Sequence, residues 1–379
     1  MNYNARESSP DYIYYDACMR NVQQTNTDYA PQLTFSESRV VPLLPCCNDY
    51  KMSIVRFELD TYSLPVFIPQ IQLNQNDPNL MVQSITVEYD DGNGNLNTVQ
   101  KYLIWTPQDT TQPTPPGPDD NYNKLQADSL YYYCYNFGHL IKILNNALQD
   151  AYTELKDLPL DGNLKYVEAP YFTWNDDSKT ASFYGRNSMF NITKYPQVRI
   201  YFNRGLYSLF NSFSFIKYPS SSPDGKIYKL MVDPYYGANI TLLPTNNNPY
   251  IILNQEYSTV SNWSPISSIV FITSTIPIVP NQMSSPFIYY NGVLQSLSSN
   301  NANYANIITD MSTDGFYHPS LLYVPTAEYR WVALESNLPL TQFDISVYWK
   351  SKLGDLHPLY AIGGTGCSIK VLFKKIGVV

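Results

Sequence analysis

Histidine and cysteine are the residue types in this 379-residue chain that bind metals most readily or act as nucleophiles and bases. The three histidines are scattered, and none has a second histidine or a cysteine at metal-ligand spacing: His139, His318 and His357. The five cysteines lack C-x-x-C spacing, and two of them are adjacent: Cys18, Cys46, Cys47, Cys134 and Cys367. An odd number without that spacing fits neither a disulfide framework nor a zinc site. The sequence therefore predicts no metal and no cofactor.

A pair of carboxylates is the other arrangement that could support catalysis, because glycoside hydrolysis needs two of them beside one bond. Asp176 with Asp177, Glu256 and Glu328 are available for such a pair. With 32 acidic residues in the chain, pairs of this kind arise without any catalytic role. No G-x-S-x-G motif is present, and the glycines at 363–366 precede a strand rather than a helix, which is typical of a hinge. We therefore expect a protein that is not an enzyme.

The composition indicates which elements must position the side chains. The chain contains 35 Tyr and 28 Pro but only 15% charged residues. Aromatic residues suit pleated sheets and proline suits turns, so this mixture favours strands joined by many loops. Short strands at the observed spacing, with one embedded helix, predict an all-β fold: a single jelly-roll β-sandwich with long loops.

The net charge is −8, which argues against nucleic acid as the main partner, because a phosphate backbone calls for a positive surface. No apolar run follows the first residues, and no stretch of roughly 18 apolar residues occurs, so the sequence predicts neither a signal peptide nor a membrane span. These observations favour a protein made and kept in a reducing compartment.

Several segments carry a clear local signal. Strands are predicted at Tyr50–Leu59 and in a hairpin over 84–105, whose turn is Asp91–Asn95. A helix is predicted over Phe137–Leu158, because its apolar residues recur at three and four and Asn136 can cap it. Further strands are predicted near these apolar runs: 171–175, 180–185, 197–203, 211–218, 267–272, 307–311, 320–325, 328–335, 343–350 and 368–375.

Other segments are predicted to be loops or an arm. Residues 1–45 show no sustained periodicity and are interpreted as an extended N-terminal arm, followed by one jelly-roll domain over 46–379. Within that domain, 106–124 is predicted as a Pro-rich loop and 219–254 as a candidate insertion. Residues 284–303 are rich in Asn and Ser and are predicted to form a loop region.

Two groups of residues are candidate assembly contacts. Three tyrosines are clustered in the arm, which either stays disordered or lies along a neighbouring subunit and buries those rings: Tyr12, Tyr14 and Tyr15. Lysines crowd the last thirty residues, where they are either a solvated strand edge or a partner site: Lys350, Lys352, Lys370, Lys374 and Lys375. From the second group, Lys350 and Lys352 are the predicted contacts.

A set of sequence blocks resembles the penton, or vertex, capsid proteins of virophages and polinton-like viruses, and resembles the Sputnik-type virophage pentons most closely. The blocks follow one another in the family's order: YKMSIVRFELDTYSLPVFIP, YYYCYNFGHLIKILNNAL, YFNRGLYSLFNSFSF, EYSTVSNWSPISSIVFITSTIPIVP, ANIITDM, LLYVPTAEYRWVALESNLPLTQFDISVYWKSKLGDLHPLY and SIKVLFKK. They span most of the chain from Tyr50 onward, but residues 106–118 and 219–254 fall outside them.

The resemblance implies a structural role. It implies a single jelly roll that assembles as a homopentamer at each fivefold vertex of an icosahedral virion, among double jelly-roll major capsid trimers and other minor virion proteins. Assembly is then expected in the host cytoplasm, and the family has no catalytic motif to match. The alternative is a minor capsid protein or a surface-exposed jelly-roll protein that binds a receptor or glycan through 219–254.

Overall fold

The computed structural model describes residues 10–21, 32–72, 77–108, 130–158, 167–190, 192–219, 225–242, 249–279, 287–290, 293–296, 306–313, 320–325, 329–352, 354–361 and 364–377. These residues are mostly strands, as the composition predicts. The strands are β1 (Tyr12–Arg20), β2 (Thr34–Ser38), β3 (Tyr50–Asp60), β4 (Leu80–Asp90), β5 (Leu96–Ile104), β6 (Tyr171–Asn175), β7 (Thr180–Arg186), β8 (Gln197–Phe202), β9 (Phe215–Lys217), β10 (Tyr228–Leu230), β11 (Asn239–Leu242), β12 (Pro249–Asn254), β13 (Ile266–Thr273), β14 (Phe287–Tyr290), β15 (Val293–Ser296), β16 (Asn306–Ser312), β17 (Ser320–Tyr323), β18 (Val332–Ala333), β19 (Gln342–Ser351), β20 (Leu356–Pro358) and β21 (Gly366–Lys375). The helices are α1 (Phe137–Asp157), α2 (Asn187–Phe190), α3 (Arg204–Leu209) and α4 (Val260–Trp263).

The chain divides into two compact units. Unit 1 combines Met1–Pro65 with Pro265–Val379, and unit 2 is Val66–Ser264. Neither boundary was predicted from the sequence, because both units are rich in strands and the composition does not change where one gives way to the other. Unit 2 interrupts unit 1 over a much longer stretch than the insertion predicted at 219–254.

Unit 1 is built from two sheets that face each other. The five-stranded sheet has the order β1-β21-β3-β17, with β18 also paired to β3. The seven-stranded sheet has the order β15-β14-β20-β19-β13-β16, with β2 paired to β19. Aromatic rings interlock between the sheets: Phe57 lies 4.9 Å from Phe271, and Tyr15 lies 4.8 Å from Phe343, both edge to face. The core of unit 1 therefore lies between two sheets, as in a β-sandwich.

The described parts of the predicted N-terminal arm are strands of unit 1. β1 pairs with β21 over its whole length, from Tyr12 opposite Lys374 to Arg20 opposite Gly366, and β2 pairs with β19. β1 is therefore a paired strand of unit 1 and not a disordered tail, which corrects that alternative. The burial of β1 alternates from residue to residue. Tyrosines occupy both of its faces, which hid this alternation from a reading of hydrophobic periodicity.

Unit 2 contains two more sheets and the long helix. The sheets have the orders β5-β4-β8-β10-β9 and β11-β12-β7-β6. The predicted hairpin over 84–105 corresponds to β4 and β5, and Asp91 accepts a 2.7 Å bond from the Asn93 N–H in its turn. The predicted insertion at 219–254 contributes β10 to the first sheet and β12 to the second, so it is an integral part of unit 2.

Helix α1 ends one residue before the predicted Leu158 and buries its apolar face among aromatic and aliphatic residues of unit 2. Asn136 caps it by accepting a 2.7 Å bond from the Gly138 N–H. Asn145 also ties the helix to an edge strand: its amide accepts from the Phe172 N–H at 2.7 Å and donates to the Phe172 carbonyl at 2.8 Å. A side-chain amide thus satisfies both backbone groups of one β6 residue.

Two loop predictions have different outcomes. Within 284–303, β14 and β15 form an antiparallel hairpin, so the prediction of a loop is wrong there. Four-residue strands in an Asn- and Ser-rich segment give too short an alternation to be recognised from sequence. The Pro-rich loop predicted at 106–124 lies outside the described residues from 109 onward.

Candidate assembly surface

The outer face of the five-stranded sheet carries the exposed tyrosines and lysines. On β1, Tyr12 and Tyr14 point away from the core and are 42% and 58% exposed. On β21 the same face carries Lys370 and Lys374, and on β3 it carries Lys51. We call these five residues, Tyr12, Tyr14, Lys51, Lys370 and Lys374, the tyrosine–lysine face. Its location follows from the period-two alternation of strands, which sends every second side chain away from the core.

A row of aromatic and basic residues crosses this face at one end of the strands. Tyr12 is directly opposite Lys374, and Lys374 is directly opposite Lys51. The Lys374 ammonium lies 5.5 Å from the Tyr12 ring centroid, and the Lys51 ammonium lies 4.7 Å from that of Trp331. Both distances permit cation–π attraction. The row therefore presents two neighbouring cations with an aromatic ring at each end.

A second row crosses the same face further along the strands. Asp16 is opposite Lys370, and Lys370 is opposite Arg56. The Asp16 carboxylate lies 3.2 Å from Lys370 and 3.7 Å from Arg56, and the Lys370 ammonium also lies 5.2 Å from the Tyr14 ring. One carboxylate thus offsets two cations in this row.

The other three predicted contacts lie elsewhere in unit 1. Tyr15 points inward against Phe343, and burial together with a hydrogen bond to Glu37 raises its pKa to about 12. Lys350 lies on β19, whose alternate residues form the core, so it projects from the outer face of the seven-stranded sheet. Lys352 is exposed in the turn after β19. The structure therefore brings Tyr12 and Tyr14 together with Lys370 and Lys374, but not with Lys350 and Lys352.

A buried ion cluster in unit 2 was missed by the sequence analysis. The Glu88 carboxylate, 6% exposed, accepts hydrogen bonds from Arg199 at 2.9 Å, Lys226 at 2.7 Å and the Tyr201 hydroxyl at 3.1 Å. Arg199 also donates to Asp90 at 2.7 Å. Burial alone would raise the pKa of Glu88, but the bonds from Lys226 and Arg199 outweigh it and lower that pKa. Charged residues within otherwise apolar strands β4 and β8 were the available signal. Because each of these bonds joins different elements, the cluster fixes strands rather than offering a reactive group.

The two described histidines make structural contacts. The His139 Nε2 atom lies 2.7 Å from the Thr106 carbonyl oxygen, and its ring meets Trp105 edge to face at 5.5 Å. His357 is 3% exposed and stacks on Trp349 with ring centroids 3.9 Å apart. His318 lies outside the described residues. Within the described ranges, no group of three His, Cys, Asp or Glu side chains is arranged to hold a metal ion.

Of the candidate carboxylates, that of Asp176 makes a local structural contact. Asp176 accepts a 2.9 Å bond from the Trp174 indole, and the Glu256 backbone N–H donates to the Ser212 carbonyl at 3.1 Å. Glu328 lies outside the described residues. The Asp176 carboxylate is thus engaged by the neighbouring Trp174 indole.

No helix in the described part of the chain combines the length and the apolar composition that crossing a membrane requires.

Two proteins of the Sputnik virophage are related to this chain in sequence. The uncharacterized protein V18 is 28% identical over 166 residues, which are 43% of this chain and 92% of V18. The structural protein V19 is 22% identical over 208 residues, which are 54% of this chain and 93% of V19. Each alignment therefore covers only about half of this chain but nearly the whole length of the relative.

Two solved structures resemble the fold over nearly the full chain. A chain in the 3.5 Å cryo-EM structure of the Sputnik virophage superimposes with a TM-score of 0.76 at 24% identity, covering 97% of this chain and 98% of that one. The crystal structure of the mavirus penton protein superimposes with a TM-score of 0.58 at 16% identity, covering 96% of this chain and 100% of that one. At these identities the likeness concerns the fold.

The family model described as Sputnik minor capsid protein V18/19 matches residues 13–375, which include both units. A match of that extent leaves only the two ends of the chain outside it. The chain belongs to the family of Sputnik minor capsid protein V18/19, whose name is that of a structural capsid protein.

Proposed function

We propose that this protein forms homopentameric vertices of an icosahedral capsid built from double jelly-roll major capsid protein. The observation that carries the proposal is the superposition on the mavirus penton protein, which uses 100% of that chain and 96% of this one. A likeness limited to one unit would be compatible with a shared module. A likeness over both units favours a shared role in the shell.

The architecture of unit 1 supports this role. Its two facing sheets are those expected of a single jelly roll, and we interpret unit 2 as an insertion between β3 and β13 of that jelly roll. The helix α1 belongs to the insertion. In this interpretation unit 1 forms the shell and unit 2 is added to it.

Assembly around a fivefold axis makes a specific demand on the surface. A closed ring uses heterologous contacts, in which each subunit offers two different faces to its neighbours. The exposed tyrosines of β1 suit one such face, because a tyrosine ring buries area while its hydroxyl keeps a hydrogen bond. We propose Tyr12 and Tyr14 as ring contacts, with major capsid trimers around the vertex and assembly in the host cytoplasm. The role is structural rather than catalytic.

Native mass spectrometry of the purified full-length chain tests the proposal. The expected result is a species of five times the chain mass at micromolar concentration. A chain that stays monomeric at every concentration, and also in the presence of the major capsid protein, would contradict it. A particle map provides the second measurement: density for this chain away from the fivefold positions would be equally decisive against it.

A further inference from the structure

Lys51 and Lys374 form an unusual pair across two neighbouring strands. They are directly opposite each other in the register of β3 and β21. Like charges in this position destabilise a sheet. Each ammonium lies over an aromatic ring, yet neither forms an ion pair with a carboxylate among the described residues. The pair thus has no counter-charge within the described part of the chain.

In the second row of the same face, a carboxylate lies beside two opposite cations. Lys370 and Arg56 are also opposite each other, but Asp16 lies within 3.7 Å of Arg56 and 3.2 Å of Lys370. Among the described residues, the sheet therefore contains two like-charge pairs, of which one has a neighbouring carboxylate and the other has none. The difference points to a negative charge supplied from outside the described residues.

We propose that the row of Tyr12, Lys374, Lys51 and Trp331 docks carboxylates of a second copy of this chain. Charge complementarity supports that occupant, since the chain has 32 acidic residues against 24 basic ones and each copy therefore presents a surplus of carboxylates. The inference rests on the proposed homopentamer, in which each copy must present two unlike faces. The row is one of those faces.

Nucleic acid is a less suitable occupant of the row. Base stacking needs free ring faces, but the ammonium groups of Lys374 and Lys51 already lie over the rings of Tyr12 and Trp331. Carboxylates from a protein surface need no free ring face.

The test compares two double variants of the full-length chain by native mass spectrometry and light scattering. Lys51→Gln with Lys374→Gln removes the pair, and Lys194→Gln with Lys217→Gln removes the same charge from two exposed lysines of unit 2. We expect the first variant to raise the concentration for half-assembly at least tenfold, with a weaker dependence on salt. The second is expected to stay within twofold of the wild type.

Melting of the dissociated chains at high dilution gives a separate readout. If the pair serves docking, Lys374→Gln melts no lower than the wild type, because it relieves a like-charge contact. A purely structural pair predicts the opposite: a lower melting temperature from the lost ring contact, with assembly unchanged.

The remaining outcomes overturn the inference in distinguishable ways. A wild-type chain that forms no oligomer overturns both the proposed function and this inference. A wild-type ring that the Lys51→Gln and Lys374→Gln variant reproduces overturns the inference alone. If the wild type binds a 20-nucleotide poly-dT, and that variant loses this binding while its ring is unchanged, the row would be assigned to nucleic acid instead.

Discussion

Replacing Glu88 with glutamine removes a negative charge that two cations share inside unit 2. The residue is buried, and its carboxylate accepts bonds from Arg199, Lys226 and Tyr201. Glutamine keeps the size of the side chain but brings an N–H₂ group to face these donors. Lys226 then loses the Glu88 carboxylate, which its ammonium contacts at 2.7 Å.

The expected loss of stability is about 3 kcal/mol. Removing one partner of a buried ion pair costs about 3–5 kcal/mol, because the other charge stays buried without compensation. Two features place this case at the lower end. Arg199 keeps Asp90 at 2.7 Å, and the Arg199 and Lys226 side chains are 20% and 19% exposed, so water solvates them in part.

Hydrogen exchange read by mass spectrometry suits the measurement, because it reports the opening of β4 and β8 separately from the rest of the chain. Opening free energies are compared for peptides from β4 and β8. A double-mutant cycle is completed by Lys226→Gln and by the variant that combines it with Glu88→Gln. The double variant is expected to lose about 1–2 kcal/mol less stability than the sum of the two single losses.

The effect of Glu88→Gln also depends on pH. The pKa of Glu88 is lowered in the folded protein, so its contribution to stability is present above the unfolded pKa of about 4.3 and is lost as the pH falls through the folded pKa. The difference between the variant and the wild type should therefore shrink below about pH 4. A difference under about 0.5 kcal/mol at pH 7, or one that stays constant down to pH 3, would refute the reasoning.

Two further substitutions test single side chains. Asp344 accepts bonds of 2.6–3.1 Å from backbone and hydroxyl groups of residues 273–275, and these bonds outweigh burial to lower its pKa. Asp344→Asn should lower the opening free energy of 273–275, measured by hydrogen exchange, by about 2 kcal/mol at pH 7. The loss should become smaller as the pH falls through the pKa of Asp344, and a loss that does not change with pH would count against this explanation. Asn145→Leu leaves the N–H and the carbonyl of Phe172 without their side-chain partner. The opening free energy of 171–175 should therefore fall by about 1–3 kcal/mol, which is measured as faster hydrogen exchange. Asn146→Leu, on the exposed side of the helix, is the matched control, and equal effects of the two would exclude this explanation.

Local patterns were sufficient where an element carries its own signal. α1 was predicted from apolar spacing and the Asn136 cap, and β3, β19 and β21 were predicted from runs rich in apolar residues. These signals depend on neighbours in sequence, so they survive without knowledge of the fold. β1 lacked such a signal because tyrosines face both the core and the solvent.

The domain division shows a different limit. The insertion was predicted at 219–254, but unit 2 extends over Val66–Ser264. β10 and β12, which belong to the predicted insertion, pair with β8 and β7, which do not. Strand pairing of this kind decides what folds as a unit, and it involves partners that no local pattern identifies.

By itself, the sequence determined the β-rich class, the long helix, the absence of recognisable catalytic spacing and the resemblance to vertex proteins. All of these depend on composition, on local periodicity or on the order of blocks along the chain. Only the tertiary structure decided that Lys374 lies between Tyr12 and Lys51, and that Tyr15 points inward while Tyr14 points outward. The reason is physical: the register between strands distant in the chain is set when two sheets bury their inner faces against each other, and it then dictates which charges become neighbours.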